Sequence, residues 1–176
     1  MNIKTIVVGP LQTNCYIIEK GDYCLIIDPG AEEDKIIENI TRKVAGIVTT
    51  HGHDDHVGAI NPLIMKYGAR LYNMNNMPEG SFTIENFTFK VIYTPGHMND
   101  EITLYFEEDK IMFVGDFIFK GSIGRMDLPG GSTFDMRLSI KKILEYPKDI
   151  TLYPGHYGVT TLENEVPTLG YYLNII

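Results

Sequence analysis

Thr50-His51-Gly52-His53-Asp54-Asp55-His56 follows directly on the apolar run Val44-Ala45-Gly46-Ile47-Val48, and this junction decides how the chain is read. The run has the length and composition of a buried strand. Three histidines and two carboxylates are then crowded at its carboxyl end, the end at which open α/β sheets gather their sites. Imidazole nitrogens mixed with carboxylate oxygens suit a divalent, borderline-soft metal such as zinc.

The other histidines repeat the device. His97 closes Thr94-Pro95-Gly96-His97, and His156 closes Tyr153-Pro154-Gly155-His156. Each comes after a β-rich apolar run and a Pro-Gly turn. Between them Phe113-Val114-Gly115-Asp116 presents a carboxylate at another strand end. All five histidines of the chain are thus accounted for at candidate strand ends. The rival reading, histidines merely solvated on loops, has to treat that placement as coincidence.

The whole-chain properties narrow the class. At 176 residues the chain reads as one domain, 1–176. A chain of this size buries about 70% of its unfolded surface and needs no covalent staples. A formal net charge of −8 argues against non-specific nucleic-acid binding. No apolar run reaches the ~18 residues of a membrane span, and residues 1–10 lack the pattern of a signal peptide. The expectation is a cytoplasmic enzyme, a monomer or small homo-oligomer, with a small-molecule substrate and neither a nucleic-acid nor a membrane partner. Cys15 and Cys24 flank a hairpin turn at Lys20-Gly21-Asp22. That turn sets Cys24 opposite residue 18 or 19, so the two read as free thiols.

In order, residues 5–8, 14–19 and 23–28 are β-rich. Residues 32–43 carry Ile36, Ile37 and Ile40 at helical spacing, with acids early and Arg42-Lys43 late. Residues 57–67 are helical in pattern, with Asn61 read as a cap for a restart at Pro62. Residues 70–73 read as a strand. Hairpins are expected around Glu85-Asn86 and around Glu107-Glu108-Asp109. Residues 121–131 lack a secondary-structure pattern and, following Asp116, read as a wall of the site. Residues 133–146 read as a helix with Phe134, Met136, Leu138, Ile140, Ile143 and Leu144 in one core stripe. Thr160-Thr161-Leu162-Glu163 has capping-box spacing for a short helix before Pro167. Asp28, in Asp28-Pro29-Gly30, is either support beneath the metal site or a turn aspartate. Asp54 is by default a solvated acid.

Taken together, these motifs resemble the metallo-β-lactamase fold superfamily. Thr50-His51-x-His53-x-Asp55-His56, Pro95-Gly96-His97, Gly115-Asp116 and Pro154-Gly155-His156 carry the resemblance, with Asn14-Cys15-Tyr16 and Asp28-Pro29-Gly30 beside them. Gly121-Ser-Ile-Gly-Arg125-x-Asp127-x-Pro129 is similar to the glyoxalase II (hydroxyacylglutathione hydrolase) branch. The resemblance implies an α+β fold, an αββα sandwich of two mixed sheets flanked by helices. It implies two divalent ions, zinc first, with iron or manganese as alternatives. His51, His53 and His97 would hold one ion, Asp55, His56 and His156 the other, and Asp116 would bridge them. The implied reaction is thioester hydrolysis by a hydroxide held between the metals, with Asp55 and Asp116 in catalytic positions. Arg125 and Tyr157 would bind substrate, although Arg125 could instead pair with Asp127 to fix the loop.

The chain departs from glyoxalase II in two ways. It ends at Ile176, without that enzyme's C-terminal helical domain, and Gly158 stands where the family has a tyrosine. The implied site is more open, with weaker glutathione recognition. Rival readings are a mononuclear-iron persulfide dioxygenase using His51, His97 and Asp116, a lactone hydrolase, and a non-catalytic metal-binding module. A true β-lactamase generally lacks the aspartate that Asp116 supplies, and a nuclease would want an RNA-binding arm.

Overall fold

The computed structural model describes residues 1–176. The chain begins with β1 (Asn2–Val8), β2 (Thr13–Lys20) and β3 (Tyr23–Ile27), followed by α1 (Glu33–Glu38) and β4 (Lys43–Val48). Two helical pieces, α2 (Asp54–Val57) and α3 (Ile60–Tyr67), precede β5 (Leu71–Tyr72). The second half holds β6 (Gly80–Ile84), β7 (Phe87–Tyr93), β8 (Ile102–Phe106) and β9 (Ile111–Gly115). A small hairpin, β10 (Ile118–Phe119) and β11 (Ser122–Ile123), leads to α4 (Thr133–Ile143), β12 (Thr151–Pro154), β13 (Thr160–Thr161) and α5 (Leu162–Ile175).

The main strands form two mixed sheets, ordered β1-β2-β3-β4-β5 and β13-β12-β9-β8-β7-β6. Between them lies a core that joins Tyr16, Ile18, Leu25, Ile27 and Val48 to Phe87, Phe89, Leu104, Phe106 and Phe113. The outer face of the first sheet packs Ile17, Ile26 and Ile47 on Ile36, Ile60 and Leu63 of α1 and α3. That of the second packs Met112, Val114 and Leu152 on Met136, Ile140, Ile143, Leu162 and Leu169 of α4 and α5. This is the expected αββα sandwich. Strands β3, β4 and β9 are apolar nearly throughout because both their faces are covered.

The strand pairing aligns the site. β3 and β4 are parallel, as are β9 and β12, while β7 and β9 both run antiparallel to β8. The carboxyl ends of β3, β4, β7, β9 and β12 therefore lead into Asp28, His51, His97, Asp116 and His156. Cys24 pairs in register with Glu19, and both cysteines are buried free thiols.

Several local expectations are corrected. The first helix stops at Glu38, and Lys43 already belongs to β4, so Arg42 and Lys43 do not close a helix. Helix α3 starts from Ala59 rather than Asn61, with Pro62 in its first turn, where an absent N–H breaks no hydrogen bond. In α4 the buried stripe is Met136, Ser139, Ile140 and Ile143; Phe134 and Leu138 face solvent. The helix is capped by Ser132, whose Oγ accepts the Asp135 N–H. Helix α5 runs through Pro167 to Ile175, held by burial of Leu162 and Leu169. Its cap is Thr161, which accepts the Asn164 N–H, while Thr160 donates instead to buried Glu165.

Candidate metal centre

The ligand-rich loop is built by one close approach. Residues Asp54–Val57 form a single helical turn that seats against Asp28-Pro29-Gly30. A Cβ on Gly30 would lie 1.6 Å from the Asp55 carbonyl oxygen, so only glycine lets the turn sit there. The turn points Asp55 and His56 inward and leaves Asp54 exposed. Asp28 takes a left-handed backbone, φ 51°, that aims its carboxylate at the strand end of β4. Its oxygens accept the Thr50 N–H and Oγ–H, each at 2.7 Å. Its Oδ2 also lies 3.0 Å from His56 Nδ1.

His51, His53 and His97 converge. His53 Nδ1 lies 3.1 Å from His51 Nε2 and 2.9 Å from His97 Nε2. The opposite nitrogens are engaged from behind. His97 Nδ1 donates to the Arg125 carbonyl at 2.8 Å, and His51 Nδ1 lies 3.1 Å from Thr50 Oγ1. Such contacts fix the tautomer and leave the converging nitrogens free to accept a metal. Burial, helped by neighbouring imidazoles, holds the pKa of His51 well below that of a free histidine and lowers that of His97.

Asp55, His56 and His156 form the second group. Asp55 Oδ2 lies 3.2 Å from His156 Nε2 and 3.5 Å from His56 Nε2. It also accepts the Thr13 Oγ–H at 2.8 Å. His156 Nδ1 is turned to the Leu11 carbonyl at 3.1 Å. Asp116 faces both groups: Oδ1 is 3.3 Å from His56 Nε2, and Oδ2 is 3.5 Å from His97 Nε2 and 3.4 Å from His156 Nε2. Burial disfavours the charged imidazoles here, but the carboxylates outweigh it. Asp28 and Asp116 hold His56 well above its usual range, and Asp116 with Asp55 raises His156 to about 9. Burial likewise opposes ionisation of Asp55 and Asp116, and the facing histidines overcome it, holding both below the usual carboxylate range.

The donors fit a pair of metal ions. Their ligand atoms fall into groups within 4.8 Å of one another: His51, His53 and His97; His51, His56 and Asp116; Asp55, His56 and His156. Both ring nitrogens of buried His56 and Oδ1 of buried Asp116 lack hydrogen-bond partners. Buried polar atoms are rarely left so, and a cation between them would satisfy His56 Nε2 and Asp116 Oδ1. Raised imidazole pKa values opposite two depressed carboxylates mark the same local demand for positive charge.

A cleft of about 720 Å³ opens over these residues. Its far wall is formed by Phe119, Ile123, Arg125, Leu128 and Tyr157, with Lys120 at its edge. The stretch read as patternless therefore does line the site, but it starts as the β10–β11 hairpin. Arg125 and Asp127 make two hydrogen bonds, 2.8 and 2.7 Å, so the loop-fixing pair forms, on the surface. Tyr157 is 73% exposed, has φ 66° and stacks edgewise on Phe119. Thr13, Phe119 and Glu101 carry no motif of their own in the sequence. Glu101 is wholly buried beneath Asp116, and an acid just ahead of the apolar β8 run was the available signal.

Comparison with known proteins agrees with this fold. The metallo-beta-lactamase superfamily model matches residues 8–75 and 78–156. The chain belongs to that superfamily and is a metal-dependent hydrolase, with divalent ions implied by the fold. An uncharacterized protein of Aquifex aeolicus is 38% identical over 94% of each chain. Hydroxyacylglutathione hydrolase GloC of Haemophilus influenzae is 30% identical, covering 94% of this chain and 95% of its own. Among solved structures, the BLEG-1 B3 metallo-beta-lactamase superposes with a TM-score of 0.91 at 28% identity, covering 97% and 99% of the two chains. TTHA1623 in a di-iron-bound form gives 0.86 at 30% identity, covering 94% and 98%.

Proposed function

We propose that the protein is a dinuclear thioesterase acting on hydroxyacylglutathione-like thioesters. The observation that carries the reading is Asp116, a single carboxylate set between two three-residue donor groups. His51, His53 and His97 would hold one ion, Asp55, His56 and His156 the other, and Asp116 would touch both. Bound there, two divalent ions supply Lewis-acid stabilisation of a carbonyl oxygen and ionise water near neutral pH. The all-nitrogen and mixed nitrogen–oxygen donors suit zinc; the di-iron form of TTHA1623 keeps iron as the alternative.

The remaining residues prepare the site for an acyl substrate. Thr13 and the backbone carbonyls of Leu11 and Arg125 hold Asp55, His156 and His97 in place, so little reorganisation is needed on binding. Phe119, Ile123 and Leu128 give the cleft an apolar wall for the acyl or thiol arm. Arg125, sharing its charge with Asp127, and Tyr157 would meet the polar end of the carrier. GloC, matched over 95% of its own chain, supports this substrate class. The two buried free thiols suit a reducing compartment, which supports a cytoplasmic protein. No helix is long and apolar enough to cross a membrane.

The test joins metal analysis to hydrolysis of S-D-lactoylglutathione, with Asp116→Ala alongside. Two metals per chain, turnover in the wild type and its loss in the variant are expected. A single iron per chain with oxygen uptake on glutathione persulfide would replace this reading with the dioxygenase. Two metals without thioester turnover would move the search to lactones.

A further inference from the structure

Glu101 sits between His97 and β8 and is wholly buried. Its Oε1 accepts the Asp116 N–H at 2.8 Å and lies 3.9 Å from His51 Nδ1. Its Oε2 is buried without any hydrogen-bond partner. The carboxylate is wedged where the ends of β4 and β9 meet. A Cβ on Gly115 would lie 3.0 Å from Glu101 Oε1 and 2.5 Å from Thr50 Oγ1. The next residue, Ile102, donates its N–H to the Thr50 carbonyl at 2.9 Å.

Burial, with Asp116 beside it, pushes the Glu101 carboxyl well above its ordinary range, so its charged form, with one oxygen unfilled, needs positive charge close by to balance it. No lysine or arginine pairs with Glu101. Its polar contacts are the Asp116 N–H and the His51 ring, both from the donor groups, and the other charged groups that act on it are the Asp116 and Asp28 carboxylates and His56. A core serving packing alone would place an apolar residue here. The balancing charge would be that of divalent ions held by His51, Asp116 and the other donors.

We propose that Glu101 is a positioning residue of the metal centre: it clamps Asp116 through its amide and sets a negative charge behind His51, tightening divalent-cation binding. It touches neither metal nor substrate and acts through the groups that do. The inference rests on reading His51 and Asp116 as metal ligands, but not on the thioesterase reaction.

The test uses the full chain and Glu101→Gln, which keeps the shape and an oxygen to accept the Asp116 N–H while removing the charge. Zinc dissociation constants are measured by chelator competition, and melting is followed in the chelated proteins. Outer-shell partners of metal ligands typically govern affinity by about 10–100-fold. Glu101→Gln is therefore expected to weaken zinc binding at least tenfold, with the chelated protein melting near the wild-type temperature. Glu101→Asp, which keeps the charge, should fall between the two. An unchanged zinc constant in Glu101→Gln would overturn the proposal. So would a loss of affinity matched by an equal loss of metal-free stability, or Glu101→Asp binding no better than Glu101→Gln. Wild-type protein that binds two zinc ions but does not hydrolyse the thioester would count against the thioesterase reaction and not against Glu101.

Discussion

Asp28→Asn isolates the support beneath the site. Asp28 is 1% exposed, and its Oδ2 meets both the Thr50 hydroxyl and His56 Nδ1. Asparagine tolerates the left-handed backbone at this position, so the change adds little strain. The amide nitrogen must take one of the two oxygen sites. In one orientation it opposes the Thr50 N–H; in the other it opposes the Thr50 Oγ–H and stands 3.0 Å from His56 Nδ1, which has no hydrogen bond to lose but faces the carboxylate's charge. Either way a buried donor faces a donor. A hydrogen bond to a charged acceptor is worth about 1.5–3 kcal/mol, and an unsatisfied buried donor costs about 1–3 kcal/mol. Allowing for overlap between the two, the metal-free protein should lose roughly 2–4 kcal/mol, measured by urea unfolding in chelator. For a domain of this size that is a fall in Tm of roughly 5–15 °C. Zinc affinity should fall by about 10–100-fold, because His51 and His56 lose a common support. Unchanged unfolding and an unchanged zinc constant would refute this account of Asp28.

Other perturbations test separate parts of the site. In Gly155→Ala the new Cβ would lie 2.3 Å from Asp116 Oδ1 and 2.6 Å from His56 Cε1, so the carboxylate must move. Metal analysis should find fewer than two ions per chain, and retention of both would refute the crowding argument. Arg125→Ala should raise KM for S-D-lactoylglutathione about tenfold with kcat little changed, the signature of lost uniform binding. Exposed pairs contribute only about 0–1 kcal/mol, so Tm should hold; an unchanged KM would remove the binding role. Stability of the metal-free protein should peak near pH 6.5, the ordinary histidine value of about 6.5. Above it, His56 and His156 keep protons in the folded state that the unfolded chain releases, so stability falls as pH rises towards about 9. Below it, the unfolded chain protonates His51 and His97 while the fold keeps them neutral, so stability falls again. Urea midpoints in chelator across this range would show the peak, and a steady rise from pH 6.5 to 9 would refute it.

What could be read in advance was local. Seven donor side chains declared themselves because each stands at or just beyond the end of an apolar run, and strand ends on one edge of a sheet are neighbours in space whatever lies between them in sequence. The apolar runs and the turns between them also marked the hairpins, while the two mixed sheets followed from the family resemblance. Helix ends were less legible. Phe134 and Leu138 have the spacing of a core stripe, yet Ser139 occupies the buried face because its hydroxyl reaches the Pro95 carbonyl at 2.6 Å. Pro167 signals a stop, but burial of Leu162 and Leu169 on either side outweighs the missing hydrogen bond.

The sequence by itself thus determined the chemistry of this protein: which nitrogens and oxygens it offers, and that they cluster. Only the tertiary structure decided how those atoms are held. Asn14 reaches the carbonyls of Pro154 and Tyr157, Thr13 reaches Asp55, and Glu101 sits beneath Asp116. Gly30 and Gly155 earn their places through backbone approaches from other elements. The physical reason is that a ligand's identity resides in its own side chain. Its orientation depends on hydrogen bonds from residues up to 145 positions away, which meet only when the two sheets pack.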